Sequence, residues 1–256
     1  MIGAIAGDII GSVYEFAPIK TPDFPLFSPN SDFTDDSVLT VAIADVLLNG
    51  GDLVDTLKEY TKKYPGRGYG GSYHHWAHSD ERNPYHSWGN GSAMRTSPIG
   101  FFFNERNEIL DAARKYAAVT HDHPHGINGA QAVALSIFLA RNGANKAEIR
   151  QEITSLFNYD LSMSITVIRP SYCFDVSCQG SVPQSIVAFL ESTDFEDAIR
   201  LAVSLGGDAD TMACIAGGIA EAFYQDIPKF IIEESRKRLP AELLSVVDSF
   251  YTHLSS

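Results

Sequence analysis

A chain of 256 residues with 45% hydrophobic content can bury a sizeable core, and its length favours one compact domain over residues 1–256. Its 19 Lys and Arg against 32 Asp and Glu leave a formal charge of -13, which argues against a nucleic-acid backbone as the main partner. An anionic small ligand would have to be met through a local cationic device, for which a bound metal ion would serve.

The opening "MIGAIAGDIIGSVYEF" is apolar and small, but no basic stretch begins it, and Asp8 and Glu15 interrupt it. It reads as neither a signal peptide nor a membrane span, and a cytoplasmic location is expected. Residues 14–33, rich in Pro and Phe, lack periodicity. "VLTVAIADVLLNG" reads as a helix stopped at Asn49-Gly50. Residues 64–97 form a second aperiodic stretch holding Trp76, Trp88 and several Tyr and His. Disordered segments are poor in aromatics, so this one reads as an ordered binding loop.

Apolar residues three and four apart then predict helices in "EILDAARKYAAVTH", "GAQAVALSIFLARNG" and "NKAEIRQEITSLF". "MSITVIRPSYCF" is β-like and ends near a proline, so an isolated extended segment is expected there. Helical spacing resumes in "SVPQSIVAFLES", with Pro183 in its first turn, in "DFEDAIRLAVSLGG", in "MACIAGGIAEAFY" and in "ELLSVVDSFYTHL". The expected fold is all-α, many short helices around one core. Cys173, Cys178 and Cys214 complete neither a disulfide framework nor a zinc site, so reduced thiols in a reducing compartment are expected.

Two acidic clusters stand at helix starts: Thr34-Asp35-Asp36, and Asp208, Asp210 and Thr211 after Gly206-Gly207. Thr34 and Asp208 are good N-caps, but a cap is worth ~1 kcal/mol and one acid supplies it. Two carboxylates at about 4 Å repel by about 4 kcal/mol at an effective dielectric of 20. The surplus acids therefore look like two halves of one oxygen-only site for a hard cation. A Gly-Asn-Gly-Ser turn at residues 89–92 offers backbone N–H groups to a phosphate. Tyr73, Trp76, Tyr85 and Trp88 are candidates to stack on a base, though a single aromatic is more often core. "HDHPH" at residues 121–125 is compatible with a transition-metal site, but the acidic clusters already account for a metal.

In these motifs the sequence resembles the ADP-ribosylglycohydrolases. The matching pieces are "GDIIGSVYEF", "FTDDS", "SWGNGSAMR", "THDHPHGINGAQA" and "SLGGDADT", which fall in the family's order along nearly the whole chain. The first departs slightly, with Ile9-Ile10 for the usual Ala-Leu. The resemblance implies an all-α bundle around two Mg²⁺ or Mn²⁺ ions that cleaves the bond from ADP-ribose to a modified side chain or another acceptor. It implies Thr34, Asp35, Asp36, Asp208, Asp210 and Thr211 as metal ligands. Asn90, Gly91, Ser92, Ala93 and Met94 would hold the diphosphate and nearby ribose, and His121 would contact ADP-ribose. Glu15 is the expected proton-exchanging catalyst, with Asp35 or Asp36 as the fallback base. Two rivals stand beside this reading: a two-metal phosphohydrolase of the His-Asp helical type, suggested by "THDHP", and a non-catalytic ADP-ribose binder.

Overall fold

The computed structural model describes residues 1–255. The described residues form helices and no paired sheet; one isolated bridge joins Gly89 and Ser177. The first half holds α1 (Ile2–Gly11), α2 (Asp35–Asn49), α3 (Leu53–Lys63), α4 (Gly71–His78), α5 (Gly91–Met94), α6 (Ser97–Phe102) and α7 (Arg106–Ala118). The second half holds α8 (Pro124–Arg141), α9 (Lys146–Phe157), α10 (Ile165–Ile168), α11 (Cys178–Glu191), α12 (Phe195–Val203), α13 (Ala209–Tyr224), α14 (Lys229–Arg238) and α15 (Ala241–Leu254). The all-α expectation therefore holds.

Helix α13 runs through the centre, buried from Ala209 to Ala222, with α1, α8, α11 and α12 packed around it. Helix α1 is likewise buried along its whole length. A helix apolar on every side has to be enclosed on every side. The two cross at backbone contact, because Gly3, Gly7 and Gly11 repeat every fourth residue along one face of α1. A Cβ at Gly7 would stand 2.1 Å from the Ala213 carbonyl oxygen, and one at Gly217 2.2 Å from that of Gly3. That closeness carries Asp8 and the C-terminal end of α1 to the N-terminal ends of α2 and α13.

The aperiodic stretch at 64–97 is ordered, but it is not one loop: it holds α4 and α5, and contacts fix the rest. Arg67 lies 3.6 Å above the Phe33 ring, and its carbonyl accepts from the Asp35 N–H at 2.7 Å. Trp76, in α4, is buried and donates to the Asn83 carbonyl at 3.0 Å, so it is core.

Three further sequence expectations are corrected. "MSITVIRPSYCF" is not extended: it forms α10 and a turn. Ile165 and Ile168 are buried and Val167 is 61% exposed, a spacing of three that suits a helical turn and not a strand face. No neighbouring strand offers a ladder, and the Ile165 N–H goes instead to the Glu191 carboxylate at 3.0 Å. Pro183 lies inside α11 rather than in its first turn, because Ser177 caps the helix earlier by accepting from Gly180 N–H at 3.0 Å. Gln179, whose carbonyl Pro183 cannot satisfy, is exposed to water. Helix α12 ends at Val203, and Gly206-Gly207 belong to the turn that follows. Gly206 has φ +64°, and a Cβ on Gly207 would meet the Tyr172 ring at 2.3 Å. The three cysteines are free: Cys173 is exposed, and Cys178 and Cys214 are buried. No helix among the described residues is long and apolar enough to cross a membrane.

Candidate active site

The N-terminal ends of α2 and α13 meet beside the C-terminal end of α1. Thr34 caps α2 by accepting from Asp36 N–H at 3.2 Å, which sets Asp35 and Asp36 in the first turn. Asp208 stands just before α13 and makes no side-chain cap bond, so capping does not explain it. It accepts instead from the Asn90 side-chain amide at 2.7 Å. Thr211 donates to Asp36 Oδ2 at 3.1 Å, joining the two distant clusters directly.

Carboxylate oxygens of Asp8, Asp36 and Asp210 lie within 4.8 Å of one another, and so do those of Glu15, Asp208 and Asp210. The two groups share Asp210. Neither contains a histidine, and among the described residues no His, Cys, Asp or Glu group of this kind forms around "HDHPH". Burial pushes all of these acids up. Asp8 and Asp208 rise to about 6, mainly by burial. Asp36 and Asp210 go well above the carboxylate range, by burial first and then by neighbouring carboxylates. Asp35 is raised in the same way, with Asp210 and Asp8 as its charged neighbours. Glu15 rises to about 8, through burial and then Asp210 and Asp8. Buried Asp36 Oδ1 has no hydrogen-bond partner among the described residues. A crowd of carboxylates without a paired cation, carrying an orphan oxygen, fits a hard divalent ion by its donor chemistry.

A cavity of about 290 Å³ opens over this cluster. Glu15, Asp35, Asp36, Asn90, Gly91, Met94, His121, Asp208, Asp210 and Thr211 all line it. Thr34, Ser92 and Ala93 do not. The Thr34 hydroxyl donates to Asp8 at 2.6 Å and accepts from Asp36 N–H, which leaves one lone pair. Ser92 turns its hydroxyl away to the Gly126 carbonyl at 2.7 Å, and Ala93 is buried behind it. Asn90 N–H is already given to the Val176 carbonyl at 2.8 Å, so this donor of the glycine turn is spent. Tyr73 and Tyr85 line the cavity; Trp88 is 54% exposed and packs on His123.

Sequence reasoning missed two residues here. Asp8 accepts from Thr34 N–H and hydroxyl at 3.0 and 2.6 Å, from Ser37 N–H at 3.1 Å, and from the Ser37 hydroxyl. Its signal was available, since it is an acid inside a fully apolar, glycine-spaced helix. Arg95 is fully buried at the cavity wall, where it donates to Thr120 Oγ1 at 2.7 Å. Nothing in "SAMRTS" distinguishes it from a solvated arginine.

An all-α fold that gathers two overlapping carboxylate triads under one ligand-sized cavity defines a carboxylate-based enzyme. Comparison narrows the class: the chain belongs to the ADP-ribosylglycohydrolase family, whose model matches residues 1–255, and it is therefore a glycosidase-type hydrolase of ADP-ribose linkages. It is 27% identical to the ADP-ribosylhydrolase ARH3 of Danio rerio, over 88% of this chain and 81% of that protein. The mouse (Mus musculus) ARH3 is 24% identical, over 88% and 82%. It is 25% identical to the ADP-ribosylarginine hydrolase Tri1 of Pseudomonas putida (strain GB-1), over 88% and 69%. A solved structure described as an ADP-ribosylglycohydrolase-related protein complex shares the fold, with a TM-score of 0.75 at 22% identity over 98% of this chain and 96% of that one.

Proposed function

We propose that the protein is a divalent-metal-dependent hydrolase that cleaves the bond between C1″ of ADP-ribose and a modified side chain or other acceptor, reversing ADP-ribosylation. The observation that carries this is the orphan Asp36 Oδ1 inside a buried group of acids that lacks a paired cation. Thr34, Asp35, Asp36, Asp208, Asp210 and Thr211 would hold two ions, Mg²⁺ or Mn²⁺. Bound there, the ions supply Lewis acidity for the ribose hydroxyls and for an attacking water. Asp8 stands behind them, tying Thr34 and Ser37 to α1 and so holding the start of α2 in place.

Glu15 carries the proton. The bond to the acceptor breaks with its electron pair on the acceptor atom, and Glu15 hands that atom a proton. Water then completes C1″ and returns a proton to the carboxylate. Charge of oxocarbenium type builds on C1″ between these events, and the surrounding carboxylates favour it. In the ion-free protein, burial and then Asp210 and Asp8 raise the Glu15 pKa to about 8, which favours its acid form near neutral pH. Asn90 orients Asp208 through its side-chain amide and not by touching phosphate. The Gly91 N–H, for which the described residues offer no acceptor, is the donor of this turn left to the diphosphate.

The test is ADP-ribose release from defined Arg-, Ser-, nucleobase- and ester-linked substrates, with Mg²⁺, with Mn²⁺ and with EDTA. Release that requires the ion supports the reading. ADP-ribose binding without release across the whole panel would make the protein a binder. Phosphate release from nucleotides would favour the phosphohydrolase.

A further inference from the structure

The part of the cavity wall formed by Arg95 and His121 has no role in the cleavage just described. Arg95, Thr120 and His121 are all buried there. Arg95 and His121 face the cavity. The Arg95 guanidinium gives Nη2–H to Thr120 Oγ1 at 2.7 Å and, at 3.4 Å, to the Tyr116 carbonyl. Its Nε and Nη1 have no partner among the described residues. A buried cation with orphan donors is costly to the fold, so stability alone gives no reason for it.

We propose that Arg95 and Thr120 are positioning residues that hold His121 as the neutral Nε2–H tautomer, presenting a hydrogen-bond donor to the cavity beside the Gly89–Gly91 turn. The protons available at Thr120 Oγ1 fix the tautomer. Thr120 Oγ1 has one hydrogen and two neighbours able to take it: His121 Nδ1 at 2.7 Å and the Ala117 carbonyl at 3.5 Å. Arginine has no acceptor, so it can only give to Oγ1. The Ala117 carbonyl already accepts the backbone N–H groups of Thr120 at 3.2 Å and His121 at 2.8 Å. The hydroxyl proton therefore goes to Nδ1, and the ring's own proton must sit on Nε2. A charged donor on Oγ1 drains its lone pairs and strengthens it as a donor in turn.

Nε2 has no hydrogen-bond partner among the described residues, and it faces the glycines. A Cβ on Gly91 would stand 3.5 Å from it and one on Gly89 3.7 Å. Burial and the Arg95 charge both hold the ring's pKa well below its ordinary value, which keeps the second proton off. The neutral ring thus gives an anionic ligand a directed donor with no added charge. Its match to an oxygen of ADP-ribose rests on the function proposed above; the tautomer itself does not.

The decisive measurement is two-bond ¹H–¹⁵N correlation of the histidine rings in the full chain, with His121 assigned by its loss in His121→Gln. The wild type should show a neutral His121 protonated at Nε2 from about pH 5 to 8. Thr120→Val should mix the tautomers or move the proton to Nδ1, and Thr120→Ser should restore the wild-type pattern. With ADP-ribose as probe, the Nε2–H resonance should shift, and Thr120→Val should weaken binding about 10-fold, the scale of one hydrogen bond to a charged group. A wild-type imidazolium or an Nδ1–H tautomer would overturn the proposal, with or without variants that fold. So would an unchanged tautomer and affinity in native Thr120→Val. Wild-type protein that shows the tautomer but binds no ADP-ribose would refute the ligand assignment and leave the positioning intact.

Discussion

Two buried carboxylate sites in this molecule are built in opposite ways. Glu221, in α13, is surrounded by donors: the Met1 ammonium, the Gly3 N–H at 2.7 Å and the Tyr251 hydroxyl. At the other end of the same helix, Asp210 sits among Asp8, Asp36, Asp208 and Glu15 with no paired cation, and Asp36 keeps an oxygen unpartnered. The first site is electrically closed and holds elements together. The second is open, and a fold that tolerates it must have a use for the open charge. What separates a structural acid from a functional one here is whether the protein's own donors already satisfy it.

Removing the charge at the closed site should cost the fold, and at the open site the reaction. Glu15→Gln keeps the side chain's shape, so ADP-ribose binding should survive while the rate falls by ~10²–10⁴-fold, the range of a general acid-base group. Steady-state kinetics on a confirmed substrate checks this, and a wild-type rate would move the proton role to Asp35 or Asp36. Glu221→Ala strands the Met1 ammonium and should lower stability by about 3–5 kcal/mol, measured by urea denaturation. A mild loss would mean that water replaces the carboxylate.

A third variant sharpens the contrast from the packing side. Gly7→Ala drives a Cβ into the Ala213 backbone, which has no side-chain freedom to yield, and should cost about 1–3 kcal/mol or more. Because α1 carries Asp8, the same change should also weaken the stabilisation gained on adding Mn²⁺. A thermal melt with and without the ion reads both effects.

The smallest effect is in pH. In EDTA-treated protein, Asp8 and Asp208 have pKa values near 6 in the folded state, above the ordinary carboxylate range near 4. The folded state then binds more protons than the unfolded chain, so stability should fall as pH rises from about 4 to 6. The more strongly raised Asp36 and Asp210 extend that fall upward. Asp210→Asn should flatten the slope and stabilise the ion-free protein near neutral pH, because it removes one of the strongly raised acids. Divalent ions should flatten it in the wild type as well. A stability that rises through this window in EDTA would contradict the open-site picture.

Much of this site was legible in the chain because its acids exceed what helix capping needs. Thr34, Asp35, Asp36, Asp208, Asp210 and Thr211 stood out as chemistry, and helical spacing announced the all-α fold. Elements whose identity depends on neighbours were not legible. "ITVI" has a strand's composition, yet it coils because no second strand lies within reach and Ile165 and Ile168 find the core three residues apart. Pro183 resembles a helix start until Ser177 is seen to cap the helix earlier.

The remainder belongs to tertiary structure for one physical reason: satisfaction of a polar group is a property of its surroundings. Asp8 and Arg95 each appear in the sequence as a lone charge. Backbone contact between α1 and α13 makes Asp8 an anchor for four donors from the Thr34–Ser37 turn. The packing of residues 117–121 against α5 and the residue following it turns Arg95 into a buried cation bonded to Thr120. Composition determined that a −13 chain needs a local device to meet an anion. The fold decided which of its charges are left open to serve as one.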